Sequence, residues 1–247
     1  MPSLRAFYFR GFMIKAAIMI DGSFFLKRYR AIEIQKAKAK NIHFDIYDSK
    51  KTADDLFTIA LAHINKNTLN NPKKQNQFIE ECELYRIFYY DAFPISKKYH
   101  HPLTKRLIDY SRSSEYSFRI DFYNELKKKR KFALRLGYLK EHGKWKIKTD
   151  VLMKLLNGQS SLSDLTESDI SLDLIQKGVD IRIGVDIASL AYKKLVNRII
   201  LISGDGDFVP AAKTARREGI DFILDSMYAH IDDSLFEHID GLQSVWK

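Results

Sequence analysis

Short apolar runs, each closed by an acid, recur along the chain. Residues 16–20 (Ala-Ala-Ile-Met-Ile) end on Asp21 and Gly22, and residues 84–90 end on Asp91. Residues 199–202 lead into Ser203-Gly204-Asp205-Gly206-Asp207. Such runs are apolar at successive rather than alternate positions, which predicts parallel strands buried on both faces. A further strand is expected over residues 220–224, after Gly219. Between the strands the apolar positions recur at helical spacing. Leu56, Ile59, Ala60 and His63 predict a helix that Ser49 or Thr52 caps and that runs to Ile64. Other helices are expected to start at residues 24–29 and to cover 116–130, 150–156, 209–218 and 232–242, with Pro210 in a first turn where proline is tolerated. Residues 176–194 fit two periods. Val179, Ile181, Ile183 and Val185 alternate as in a strand, whereas Val179, Ile183, Ile187, Leu190 and Ala191 share a helical face, and length favours the helix. Residues 132–138 and 144–148 flank Glu141-His142-Gly143 and predict a β-hairpin. Residues 41–48 read as irregular, and 65–77 and 160–171 as loops.

The resulting order of elements is that of an α/β fold with a central, mainly parallel sheet. One domain is expected over residues 13–247, with an insert at about 95–171 that holds helices and the hairpin. Residues 1–12 are expected to be a non-native or disordered extension, because Met13 directly precedes the first strand. No run of 18 apolar residues occurs, so no membrane partner is expected, and the single cysteine, Cys82, leaves no internal disulfide. A cytoplasmic location follows as the expectation.

Charge alters this picture in one place. Residues 92–150 hold 16 basic and 6 acidic side chains, which accounts for the whole net charge of +10. A local excess favours a polyanion-binding surface over a generally basic exterior. Lys127, Lys128, Lys129, Arg130, Lys131, Lys144 and Lys146 are the candidates, with Arg28 added from the first helix. Nearby Phe122, Tyr123, Phe132, Tyr138 and Trp145 suit single-strand binding, or simply a core. A solvated helix end is the plainer reading of the lysine run.

The acids are the other feature. Asp21, Asp91 and the Asp205/Asp207 pair stand at carboxyl ends of strands, where open α/β sheets place ligands. The helix before the last motif adds Asp180 and Asp186, about 240° apart on an ideal helix, so both cannot point at one ion. Turn and cap roles compete for Asp21, Asp180, Asp205 and Asp207. Carboxylates without paired His or Cys suit Mg²⁺ or Mn²⁺ rather than zinc. Such an ion activates water for attack on a phosphodiester.

Five short motifs occur in order: Ile-Asp-Gly at 20–22, Tyr-Tyr-Asp-Ala at 89–92, Lys-Gly-Val-Asp at 177–180, Val-Asp-Ile at 185–187 and Ser-Gly-Asp-Gly-Asp-Phe-Val-Pro at 203–210. Together they resemble the NYN (LabA-like) family of the PIN-like nucleases. The resemblance implies a PIN-like, Rossmann-like three-layer fold and a Mg²⁺- or Mn²⁺-dependent ribonuclease. It carries catalytic and metal roles onto Asp21, Asp186, Asp205 and Asp207, and Asp180 matches a further acid of the pattern. One position departs: many members have Asn two residues after the first-motif glycine, and here it is Phe24. The expected partner is RNA, single-stranded or structured, with a homodimer left open. The alternatives are a non-catalytic RNA-binding protein that keeps the fold, or a small-molecule phosphohydrolase, which would leave the basic segment unexplained.

Overall fold

The computed structural model describes residues 13–65 and 82–246. The expectation for residues 1–12, and nearly all of the loop expected over 65–77, lie outside the described residues. In chain order the elements are β1 (Ile14–Asp21), α1 (Gly22–Lys40), α2 (Ser49–Asn65), β2 (Cys82–Ala92), β3 (Lys98–His100), β4 (Leu107–Asp109), α3 (Ser114–Lys127), β5 (Phe132–Ile147), α4 (Thr149–Leu156), β6 (Ile170–Lys177), α5 (Val179–Tyr192), β7 (Arg198–Ile202), α6 (Val209–Arg217), β8 (Asp221–Asp225), α7 (Asp233–Phe236) and β9 (Gly241–Leu242).

Seven strands form one sheet in the order β6-β5-β2-β1-β7-β8-β9. Every pairing in it is parallel except β5 with β6. Residues 16–20 of β1 are fully buried because both faces are covered. Ala16, Ile18 and Ile20 pack with α1, α2 and α3 against Phe25, Leu56 and Phe122. Ala17 and Met19 face α5 and α6 and pack with Ile183, Ile187 and Ala212. The result is the three-layer α/β fold that the sequence predicts. α5 settles the ambiguous stretch: Val179, Ile183, Ile187, Leu190 and Ala191 are its buried face.

The insert differs in detail. Its hairpin is β3 with β4, antiparallel, and not residues 132–148. Those residues run as one strand, β5, which passes its irregularity between Glu141 and Trp145 without reversing. Its antiparallel partner is β6, whose first residues were read as loop and whose last residue pairs belong to the stretch read as helix. Gly137 of β5 stands beside Ala92, the last residue of β2. Residues 138–147 therefore project past the carboxyl edge of the sheet, held by β6. Two further boundaries differ. Asp48, not Ser49 or Thr52, caps α2, accepting from the Lys51 N–H at 2.8 Å. The terminal helix is one turn, α7, and Gly241–Leu242 adds an edge strand instead.

Candidate active site

β1 lies between β2 and β7, and the chain leaves it on one side and returns on the other. This is the switch point at which open α/β sheets form a crevice. Asp21 ends β1 there and caps α1. Its Oδ1 accepts from Ser23 N at 3.0 Å, Ser23 Oγ at 3.0 Å and Phe24 N at 3.2 Å. Gly22 is required by crowding: a Cβ would lie 2.6 Å from the Tyr89 ring and from the Tyr90 carbonyl oxygen. From β7, buried Ser203 reaches across, its Oγ 3.5 Å from Asp21 Oδ2 and 3.4 Å from Asp205 N. Asp205 caps the following turn, its Oδ1 accepting from Asp207 N at 3.0 Å. In both capping acids one oxygen holds the backbone, so the carboxylate orientation is fixed by the fold.

Charge repulsion ties the acids to one another. Burial pushes the Asp21 carboxyl upward against its Phe24 and Ser23 hydrogen bonds, and Asp180 and Asp91 push it further. Asp180, in the first turn of α5, is also raised, by partial burial and then by Asp205 and Asp207. Asp21, Asp180, Asp205 and Asp207 thus share one electrostatic neighbourhood. None of the four has an ion-pair partner among the described residues. The other nearby acids are compensated. Asp91 is buried and pairs with Arg119 Nη1 at 2.6 Å, while accepting from Tyr89 Oη at 3.1 Å and Ala92 N at 2.8 Å. Asp225 pairs with His63 at 2.9 Å.

Asp186 sits apart. Its Oδ2 accepts from Tyr90 Oη at 2.8 Å and from Arg135 Nε at 3.0 Å. Of the two α5 acids, Asp180 and Asp186, the first feels the charge of Asp205 and Asp207. The second is spent against β2 and β5.

The basic candidates also divide. Lys131 precedes β5, and its backbone oxygen accepts from Ile87 N, five residues before the end of β2. That places the lysine run about 16 Å back from the acidic edge. Lys128 pairs with Glu125 at 2.6 Å, Lys129 with Asp54, and Lys131 with Glu83 at 3.1 Å, while Lys127 reaches Asn124 at 3.3 Å. Exposed Arg130 stands in the same run. In the folded chain this run pairs with acids of α2, α3 and β2, set back from the acidic end of the sheet. Arg28 is likewise engaged, its guanidinium donating to the Met227 carbonyl at 2.8 and 3.2 Å. Lys144 and Lys146 are exposed on the projecting part of β5, on the acidic side, with Lys146 3.0 Å from Asp173.

A profile of the NYN domain matches residues 16–240. The chain belongs to the NYN domain family. The family is nuclease-like, which places the protein in a ribonuclease-type superfamily, and its members usually use divalent metals. Among curated proteins no significant match was found. A crystal structure of a protein of unknown function from Vibrio parahaemolyticus is similar at 16% identity, covering 94% of this chain and 93% of that one, with a TM-score of 0.40.

Phe24, where many NYN domains have Asn, packs on the last motif: a Cβ on Gly204 would lie 3.2 Å from its ring and 3.2 Å from the His230 carbonyl oxygen. Phe24 therefore buttresses the turn that carries Asp205. Among the described residues no three His, Cys, Asp or Glu side chains converge closely enough to hold a metal as they stand. The donor chemistry nevertheless suits a hard cation: all four groups offer carboxylate oxygens, and Asp21 and Asp180 are raised by burial first and by neighbouring carboxylates second.

Proposed function

We propose that this NYN domain is an endoribonuclease that hydrolyses phosphodiester bonds with Mg²⁺ or Mn²⁺ held by Asp21, Asp180, Asp205 and Asp207. The observation that supports it is the contrast in pairing. Asp91, Asp186 and Asp225 each have a cationic or imidazole partner, and the four crevice acids have none among the described residues. Asp21 is the buried one of the four, and an uncompensated buried carboxylate is costly unless a cation or a substrate uses it, while exposed Asp180, Asp205 and Asp207 stand open to such a ligand.

When bound, the cation activates a water and offsets charge on the phosphate. The protein's own groups position it. Asp21 and Asp205 present the carboxylate oxygens that their caps leave over, and Ser203 couples the two across the β1–β7 junction. Asp186 is a positioning residue in this account: it anchors Tyr90 and Arg135 beneath α5. Lys144 and Lys146 attract the RNA backbone from the projecting strand, an electrostatic role that weakens with salt. RNA as substrate and a cytoplasmic setting belong to the same proposal.

The non-catalytic alternative draws on a specific observation, the incomplete convergence of the acids together with Phe24 on the Gly204 turn. Incubation of the purified protein with mixed RNA and single-stranded DNA in Mn²⁺, Mg²⁺ or chelator separates the two. Cleavage of RNA that chelator abolishes supports the nuclease. Salt-sensitive RNA binding without cleavage in either metal supports the alternative.

A further inference from the structure

A cavity of roughly 390 Å³ opens beside the acids, between α3, the end of β2 and the projecting β5–β6 ribbon. Its volume falls within the range of small-ligand sites, about 300–1,000 Å³. Ser23 lines it while its hydroxyl bonds Asp21, so cavity and acids share a wall. Asp91 lines it too, from the next strand.

Most polar groups of the cavity are already used. Arg119 donates to Asp91 at 2.6 Å and to Glu115 at 2.8 Å. The Ser113 hydroxyl donates to the Tyr110 carbonyl at 2.7 Å. Among the described residues that line it, Gln176 of β6 has a buried side-chain donor, Nε2, with no hydrogen-bond partner. Gln176 stands opposite Leu139 across the ribbon, and both line the cavity with Leu174. Tyr110 and Tyr116 also line it. A stranded buried donor is costly, so its place in this cavity calls for an acceptor from outside.

We propose that this cavity receives one unpaired nucleobase of the RNA strand, with the Gln176 amide donating to an acceptor on the base edge. The proposal rests on RNA being the substrate of the neighbouring acids. The occupant follows from chemistry. A phosphate is disfavoured, because Arg119 already pairs with both Asp91 and Glu115, which leaves the cavity's charged lining net negative. A planar heterocycle with acceptors matches aromatic walls and a single amide donor, as in single-strand recognition of splayed-out bases. A base seated here carries its own phosphate past Ser23 to Asp21. The cavity then selects unpaired nucleotides, since a base within a duplex cannot enter it.

The test reads binding, not turnover. AMP, CMP, GMP, UMP and ribose 5-phosphate are titrated into the ¹⁵N-labelled full chain in chelator. The Gln176 side-chain amide signals are expected to shift saturably with at least one nucleotide and to stay put with ribose 5-phosphate. Gln176→Leu should weaken that nucleotide about tenfold, the scale of one buried hydrogen bond. Leu139→Trp, which fills the cavity, should abolish binding. The proposal is overturned if no nucleotide moves the Gln176 amide, or if ribose 5-phosphate moves it equally. RNA cleavage is scored separately. Cleavage without nucleotide binding here sinks the base pocket and spares the nuclease reading, whereas binding here without cleavage in any metal does the reverse.

Discussion

Arg119→Met is the perturbation with the most definite consequence for the scaffold beneath the crevice. Asp91 is 2% exposed, and Arg119 supplies its only cationic contact among the described residues, at 2.6 Å. Methionine keeps much of the arginine stem's packing but strands the carboxylate. Breaking a buried pair on one side costs about 3–5 kcal/mol. Asp91 retains hydrogen bonds from Tyr89 Oη and Ala92 N, so the lower end, about 3 kcal/mol, is expected. Against a typical total of about 5–15 kcal/mol that is a large loss. An unpaired buried carboxylate is destabilised by its charge, so the variant's deficit should shrink when that charge is removed. Adding Asp91→Asn removes the stranded charge and should recover more than half of the loss. Urea unfolding of wild type, both single variants and the double variant measures this directly. A deficit below about 1 kcal/mol at pH 7, or a double variant no better than Arg119→Met, refutes the reasoning.

The remaining predictions concern the acids and their turn. Asp180→Asn should raise stability at pH 7, because it removes a carboxyl whose proton affinity burial, Asp205 and Asp207 have raised; the gain should vanish as pH falls below about 4, where the wild-type group is neutral in both states. The same variant should lose metal-dependent cleavage, a stability–activity opposition that chemical unfolding and a cleavage assay can read together. Asp186→Asn should show the converse: about 0.5–1 kcal/mol of lost stability from the half-exposed Arg135 pair, with cleavage within a few-fold of wild type. Gly204→Ala presses a methyl against the Phe24 ring and the His230 carbonyl, costing about 1–3 kcal/mol and displacing the Asp205 turn; thermal unfolding with and without Phe24→Leu shows whether the ring accounts for part of that cost.

The parallel strands were legible because β1, β7 and residues 87–90 of β2 are buried and so read as apolar runs. The acids at their ends were legible for the same reason, since a charge closing such a run stands out. β6 was not. Its buried Leu172 and half-buried Leu174 alternate with Ser171 and Asp173, next to a serine-rich stretch, and the pattern gave no hint of its distant partner. Glu141-His142-Gly143 imitates a turn, yet long-range pairing with β6 keeps β5 extended. Composition located the positive charge along the sequence and said nothing of its place in the fold. Lys128, Lys129 and Lys131 find local acids, and register sets them back from the acidic end of the strands. Helical rotation, visible from spacing, already set Asp180 against Asp186; which of them faced the crevice depended on Tyr90 and Arg135, contacts that only the fold brings together. Arg119 and Gln176 carried no signal of their own, one being a lone cation on a helix and the other a polar residue at a strand end.

The most direct test of the central claim is single-turnover cleavage of a mixed RNA pool by wild type and Asp205→Asn, in Mn²⁺, Mg²⁺ and chelator, with circular dichroism confirming that the variant is folded. Asparagine keeps the Asp207 N–H cap acceptor while removing the charge, so the turn should persist. The account predicts metal-dependent cleavage by wild type and a loss of at least about a hundredfold in the folded variant, the scale on which removal of one positioned electrostatic group acts. Equal cleavage by the two proteins, or cleavage unaffected by chelator, would contradict it.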